Sequence, residues 1–443
     1  MNVLLRGVRV IDPAAGVDAV AQDVRIEDGV ITAVARSVDA AGLHVVELAP
    51  EPGRSWRVLC PGFIDLHAHL REPGAEVVET VASGARAAAA GGFTQVVAMA
   101  NTVPSIDSPD LVREAVQRGM GADVDVLTVA ALTRGLRGVA TVDIEACAEV
   151  GAVAFSDDGR NAVTRGALVE GLRRAGAVER PVLVHAEDEA MIAPLPSPAV
   201  AIVRNEERPA EAEVSAVASA LQALREARVG HLHLQHLSTA GSMDLLSEAK
   251  ESGLKVTAEV TPHHLSMWLP APDQPMTNPL LKVNPPLRTR EDRDAVVQAL
   301  RAGLIDCVAT DHAPHPSAEK ERPYREAAPG ILGLETALAA CLTLAGASDW
   351  MPVLIERLTT GPHGVLASTG LLRRPSLRIG EPASCVLFDP DAEWVVGDEP
   401  MRSLSRNTPL LGATLRGRVL LTLHHGRAVH RDGLFAGEVA ARA

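Results

Sequence analysis

The stretch CPGFIDLHAHLREPG, residues 60–74, runs from an apolar segment into two histidines, His67 and His69, then into Arg71 and a Pro-Gly turn. Residues two apart on a strand share a face, so the two imidazoles of an H-x-H pair can grip one ion. Two histidines on an ordinary sheet face spell the same pattern. What the stretch means therefore depends on the rest of the 443-residue chain.

Downstream, short apolar runs alternate with helix-like segments. Eight runs read as strands: VLCPGFIDLH (58–67), TQVVAMA (94–100), VDVLTVAALT (124–133), AVAFSDDG (152–159), PVLVHAE (181–187), HLHLQHLS (231–238), KVTAEVTPHH (255–264) and IDCVATDHAPH (305–315). Many are apolar on both faces, as buried parallel strands are. Between them EVVETVASGARAAAA, SPDLVREAVQRG, EAEVSAVASALQALREA and TREDRDAVVQALRAG carry a period near 3.6, the last with Thr289 as a cap. Eight such units predict a (β/α)₈ barrel over residues 57–372. A doubly wound open sheet is the alternative, but no Gly-rich phosphate loop follows the first strand. Residues 1–56 are strand-like, with Asp28-Gly29 as a hairpin turn, and residues 373–443 return to that texture. Both chain ends are expected to form one small β-sandwich domain.

Composition narrows the class. Hydrophobic residues make up 47% and charged residues 22%, ordinary values for a globular protein. No uncharged apolar run reaches the length of a membrane span, and MNVLLRGVRVIDP lacks a signal-peptide core. The protein is expected in the cytoplasm. Net charge is −14 with no basic stripe, so neither nucleic acid nor a membrane is an expected partner. Five scattered cysteines without C-x-x-C read as reduced thiols.

Polar residues fall at the strand ends, where a barrel carries its active site. They are His67 and His69, Asn101, Asp157-Asp158, His185, His236, Asn284, and then Asp311, His312 and His315. A lone strand histidine is usually a hydrogen-bonded core residue. Four histidines and two carboxylates on one rim are hard to explain by packing. Nitrogen and carboxylate donors without sulfur suit zinc or another divalent ion such as manganese. Six donors exceed one catalytic zinc, and a carboxylate bridging two ions about 3.5–4 Å apart fits the count. Strand six offers His231, His233 and His236, and spacing does not choose among them. The pairs His263-His264 and His424-His425 read as decoys, because neighbouring side chains on a strand point to opposite faces.

PGFIDLHAHLREPG, FSDDG, LVHAED, HLQHLS, VNPPLR, TDHAPH and PGILGLET together resemble the amidohydrolase superfamily, and within it the dihydroorotases of bacterial long-chain type. The resemblance spans essentially the whole chain. It implies reversible cyclisation of N-carbamoyl-L-aspartate to L-dihydroorotate, the third step of pyrimidine synthesis, by a hydroxide bridging two Zn²⁺ ions per subunit. It implies that His67, His69 and Asp311 hold one metal, that His185 and His236 hold the other, and that Asp158, favoured over Asp157, bridges them. Asp311 is the implied catalytic proton shuttle. His69, Arg71, Asn101, Asn284, His315, Pro329 and Gly330 are the implied substrate contacts. Expected partners are the small-molecule substrate, a second copy in a homodimer, and aspartate transcarbamoylase.

Hydantoinases of the superfamily bridge their metals with a carboxylated lysine lying between the H-x-H pair and the third histidine. Here residues 70–184 contain no lysine; the four in the chain are Lys250, Lys255, Lys282 and Lys320. A carboxylate must serve instead. Two alternatives are a non-catalytic partner of aspartate transcarbamoylase and another cyclic amidase such as allantoinase. The complete ligand set weighs against the first, and Arg71, Asn101 and VNPPLR against the second. The polar segment 316–328 is an expected lid.

Overall fold

The computed structural model describes residues 1–40, 42–159, 163–192, 208–269 and 277–435, so residues 436–443 of the expected end domain lie outside the described residues. Two sheets of eight strands organise the chain. The first comes from the chain ends: β1 (Val3–Asp12), β2 (Val17–Glu27), β3 (Val30–Ala35), β4 (His44–Glu47) and β5 (Val58–Pro61). The second holds β6 (Phe63–Ala68), β7 (Phe93–Ala98), β8 (Asp125–Ala130), β9 (Ala152–Ser156), β10 (Val182–His185), β11 (Leu232–Gln235), β12 (Val256–Val260) and β13 (Cys307–Val308). The chain then returns to the first sheet with β14 (Cys385–Val395), β15 (Thr414–His424) and β16 (Arg427–Arg431).

Strands β6 to β13 pair in parallel in sequence order. The ring closes where Ala68 bridges His312 and the His69 amide donates to the His312 carbonyl at 2.8 Å. This is the expected (β/α)₈ barrel. Threonines start many of its helices: the side chains of Thr80, Thr164, Thr239 and Thr289 each accept from the backbone of the first helical turn. The Ala-rich segment 76–90 becomes helical only at Val81, after the Thr80 cap.

Two readings of the barrel strands need correction. VLCPGFIDLH is two strands, not one. Its first half, β5, pairs with β1 and β14 in the end sheet, so a boundary at residue 57 assigns it to the wrong unit. In KVTAEVTPHH the strand stops at Val260, and Pro262–Ser266 is a short helix capped by the Thr261 side chain. Proline at a first helical position is favoured and cannot extend a ladder.

The end sheet runs β16-β15-β14-β5-β1-β2-β3, with β4 beside β1. Val3, Leu5, Val24, Ile26, Leu387 and Leu421 belong to its own apolar core, separate from that of the barrel. The hairpin turn at Asp28-Gly29, both with positive φ, meets the turn at Gly426. A Cβ on Gly29 would stand 2.8 Å from the Gly426 Cα, so this contact of two backbones requires glycine. Among the described residues no single helix is long and apolar enough to cross a membrane.

Candidate metal centre

The expected donors converge at the C-terminal ends of the barrel strands. Asp158 sits among four histidines. Its Oδ2 lies 3.5 Å from His67 Nε2 and 3.4 Å from His69 Nε2. Its Oδ1 lies 3.4 Å from His185 Nδ1 and 3.8 Å from His236 Nε2. Asp311 Oδ1 approaches His69 Nε2 at 3.0 Å and His67 Nε2 at 3.6 Å. His67, His69, Asp158, His236 and Asp311 are all buried.

Three of these histidines are oriented from behind. His67 Nδ1–H donates to Glu259 Oε1 at 2.7 Å, His69 Nδ1–H to Asn101 Oδ1 at 2.8 Å, and His185 Nε2–H to Glu187 Oε2 at 3.0 Å. Each bond fixes the ring and turns the other nitrogen toward Asp158. A bare imidazole nitrogen facing a carboxylate needs positive charge between them. Protons are one source. Burial opposes charge on His67, but Asp158 and Glu259 hold its imidazole well above the ordinary value, and at His185 Asp158 and Glu187 overcome burial to reach about 9. A divalent ion is the other source. His67 Nε2 and Asp158 Oδ1 are buried without a hydrogen-bond partner among the described residues, which fits ligand atoms. His67, His69 and Asp158 form one group able to hold a metal, and Asp158, His185 and His236 form a second that shares its carboxylate.

The residues of the two open choices point in different directions. Asp157 turns away from the cluster, accepting from the Thr133 amide at 2.8 Å and from the Thr133 hydroxyl. On strand six, His231 bonds Thr257 at 2.8 Å and His233 donates to Glu259 Oε2 at 3.1 Å, leaving His236 to face Asp158. His236 lies just beyond β11 with φ 36°, so its side chain departs from the strand alternation. Arg71 (φ 60°) and Asp311 (φ 45°) are left-handed as well. Such conformations cost of order 1–3 kcal/mol each in a non-glycine residue and cluster at functional sites.

Among the expected substrate residues, Arg71, His315 and Pro329 are linked to one another. Arg71 Nε donates to the Pro314 carbonyl at 3.1 Å, and its Nη2 lies 3.4 Å from His315. His315 Nε2–H donates to the Pro329 carbonyl at 2.8 Å; burial and the charge of Arg71 push its pKa down to about 3, so the ring is neutral. The Gly330 amide donates to the Lys282 carbonyl at 2.8 Å. Asn284 is half-buried in the connection between the helices Pro262–Ser266 and Arg290–Ala302. Segment 316–328 is tied down by Lys320, whose Nζ donates to the carbonyls of Lys282, Ala328 and Gly330.

The groups that sequence reasoning missed lie beneath the donors. Glu259 on β12 and His67 on β6 belong to strands that are not neighbours, so their bond crosses the barrel interior. Burial opposes its charge, yet His67 and His233 hold its carboxyl down to about 2. Asp65 accepts from the Thr310 amide at 2.8 Å and hydroxyl at 2.6 Å, joining the first strand to the last below Asp311. The available signal was a lone carboxylate inside an apolar run, Glu259 in VTAEV and Asp65 in GFIDL. His263, set aside as a strand decoy, is instead helical and buried, with Nε2 unpartnered among the described residues.

The fold is a closed parallel barrel with a histidine–carboxylate cluster at its strand ends and a sheet domain drawn from both chain ends. The same fold occurs in a dihydropyrimidinase from Brevibacillus agri (TM-score 0.83, 22% identity, 98% of this chain and 96% of that one). It also occurs in an L-hydantoinase from Arthrobacter aurescens (TM-score 0.80, 24% identity, 98% and 96%). A Dihydro-orotase-like family model matches residues 56–194. Dihydroorotases from Aquifex aeolicus (35% identity, 98% of this chain, all of the relative) and Anaeromyxobacter dehalogenans (40%, 97% of this chain, 98% of the relative) align along nearly the full length. The chain belongs to the dihydroorotase family.

Proposed function

We propose that this chain interconverts N-carbamoyl-L-aspartate and L-dihydroorotate at a pair of zinc ions bridged by Asp158. One observation carries the reading: the Asp158 carboxylate divides its oxygens between two histidine pairs, with His67 and His69 on Oδ2 and His185 and His236 on Oδ1. His67, His69 and Asp311 would hold one ion, and His185 and His236 the other. When bound, such ions lower the pKa of a water toward neutrality and polarise the ring carbonyl.

The protein's own groups supply the rest. Burial works against charge on Asp311, but His67 and His69 hold its carboxyl well below the ordinary range, so it is ionised at neutral pH. Asp311 accepts the proton from the attacking water and delivers it to the departing ring nitrogen; synthesis runs the path in reverse. Arg71 forks onto the substrate carboxylate, with the Asn101 amide and neutral His315 beside it. Asn284 and the Pro329-Gly330 backbone meet the ring's polar edge. Fixing the substrate at several points lowers the entropic part of the barrier. The proposed setting is the cytoplasm, as a homodimer and in complex with aspartate transcarbamoylase.

The test is an assay of the purified chain with dihydroorotate and with carbamoyl aspartate, with and without added zinc, beside a count of bound metal. Turnover that depends on about two ions per chain supports the reading. Full activity with less than one ion, or none on either compound, refutes it.

A further inference from the structure

We infer that Asp125, His424 and His425 form a separate metal site, taking one divalent ion of the zinc class and pinning the end sheet to the bottom of the barrel. Asp125 is the first residue of β8, so the site lies at the strand end opposite the histidine cluster. His424 Nε2 stands 3.2 Å from Asp125 Oδ1, and His425 Nε2 stands 3.5 Å from the same oxygen. All three donor atoms lie within 4.8 Å of one another. Zinc bonds of about 2.0–2.1 Å in tetrahedral arrangement separate ligand atoms by about 3.3 Å.

Adjacent histidines on a regular strand would diverge. His424 closes β15, but His425 opens the following turn with φ 48°, and Gly426 continues it with φ 76°. That break in the alternation brings both rings to one side, their centroids 4.1 Å apart. The twist that defeats the decoy reading is therefore the one that builds the site.

Arg373 stands beside it, with Nη2 3.4 Å from His425 Nε2. A guanidinium only donates, so that nitrogen carries its lone pair toward the group. Arg373 thus stands in for a cation, and its exposed side chain is free to swing out. His424 Nε2–H donates to Asp125 Oδ1, and an ion would take the place of that proton. A cavity of about 550 Å³, lined in part by Asp125, Arg373 and His425, gives access and room for a water as fourth ligand.

The test uses the full chain, stripped with chelator, saturated with zinc, desalted and analysed for metal. The wild type is expected to hold one more zinc per chain than either His425→Gln or Asp125→Asn, with dihydroorotate turnover at saturating zinc unchanged. This difference does not depend on how many ions the histidine cluster takes. Equal zinc content in all three proteins overturns the site. Arg373→Ala, at an exposed position, guards against misfolded variants: it is expected to tighten the additional zinc several-fold, and unchanged zinc affinity overturns the stand-in role.

Discussion

Replacing Glu259 by glutamine tests whether the bond behind His67 governs the metal centre. Glu259 accepts two N–H groups in a buried position, from His67 at 2.7 Å and from His233 at 3.1 Å. A glutamine of the same shape accepts one and offers an NH₂ to the other. If the NH₂ meets His67, that ring keeps its proton on Nε2 and loses its ligand lone pair. If it meets His233, His67 keeps its orientation but loses a charged acceptor. Partners of this kind typically contribute 10–100-fold to metal affinity, about 1.4–2.8 kcal/mol. Chelator competition should therefore show zinc bound 10–100-fold more weakly, with circular dichroism unchanged and turnover partly restored by excess zinc. Wild-type zinc affinity together with wild-type turnover at limiting zinc would refute the reasoning.

Asp311→Asn should abolish turnover in a protein that still melts cooperatively; rates near wild type would remove the proton-shuttle role. Asp158→Ala should lower bound zinc. Asp157→Ala should leave the zinc count intact and cost about 1–3 kcal/mol of stability in urea unfolding, because Thr133 loses its buried acceptor. Arg71→Ala should raise KM for dihydroorotate far more than it moves the melting temperature. Lys320 gives a pH test: burial and Lys282 lower its pKa from 10.5 to about 8, so the unfolded chain holds the proton longer. Its contribution to stability should rise as pH climbs from about 8 through 10.5, and Lys320→Met should flatten that rise in urea titrations at pH 7.5 and 9.5.

The barrel and most of the donor set were legible because they rest on local spelling. His67 and His69 need only a spacing of two, and Asp311 ends a short apolar run. The Asp157-Asp158 choice was not legible: the two are adjacent at a strand end, and the deciding partner, Thr133, is supplied by the neighbouring strand's loop. Glu259 was missed because it reaches His67 across 192 residues of sequence and past the intervening strand β13. His236 and His425 escape the period-two rule for one reason, since each sits at a left-handed φ just past a strand. The split of VLCPGFIDLH into two strands was hidden because both halves are fully buried and only Gly62 separates them.

The end sheet also imposes an order on synthesis. Val58 of β5 pairs with Phe388 of β14, so one edge of β5 has no neighbour until the ribosome has made the whole barrel. At about 5–20 residues per second, that leaves an open strand edge for roughly 20–70 s. An exposed apolar edge invites pairing with another nascent chain. Here the edge is only four residues long and ends in Pro61, which has no amide to offer a stranger. The seam that joins the two ends of the chain is thus kept short and poor in donors during the interval when it stands open.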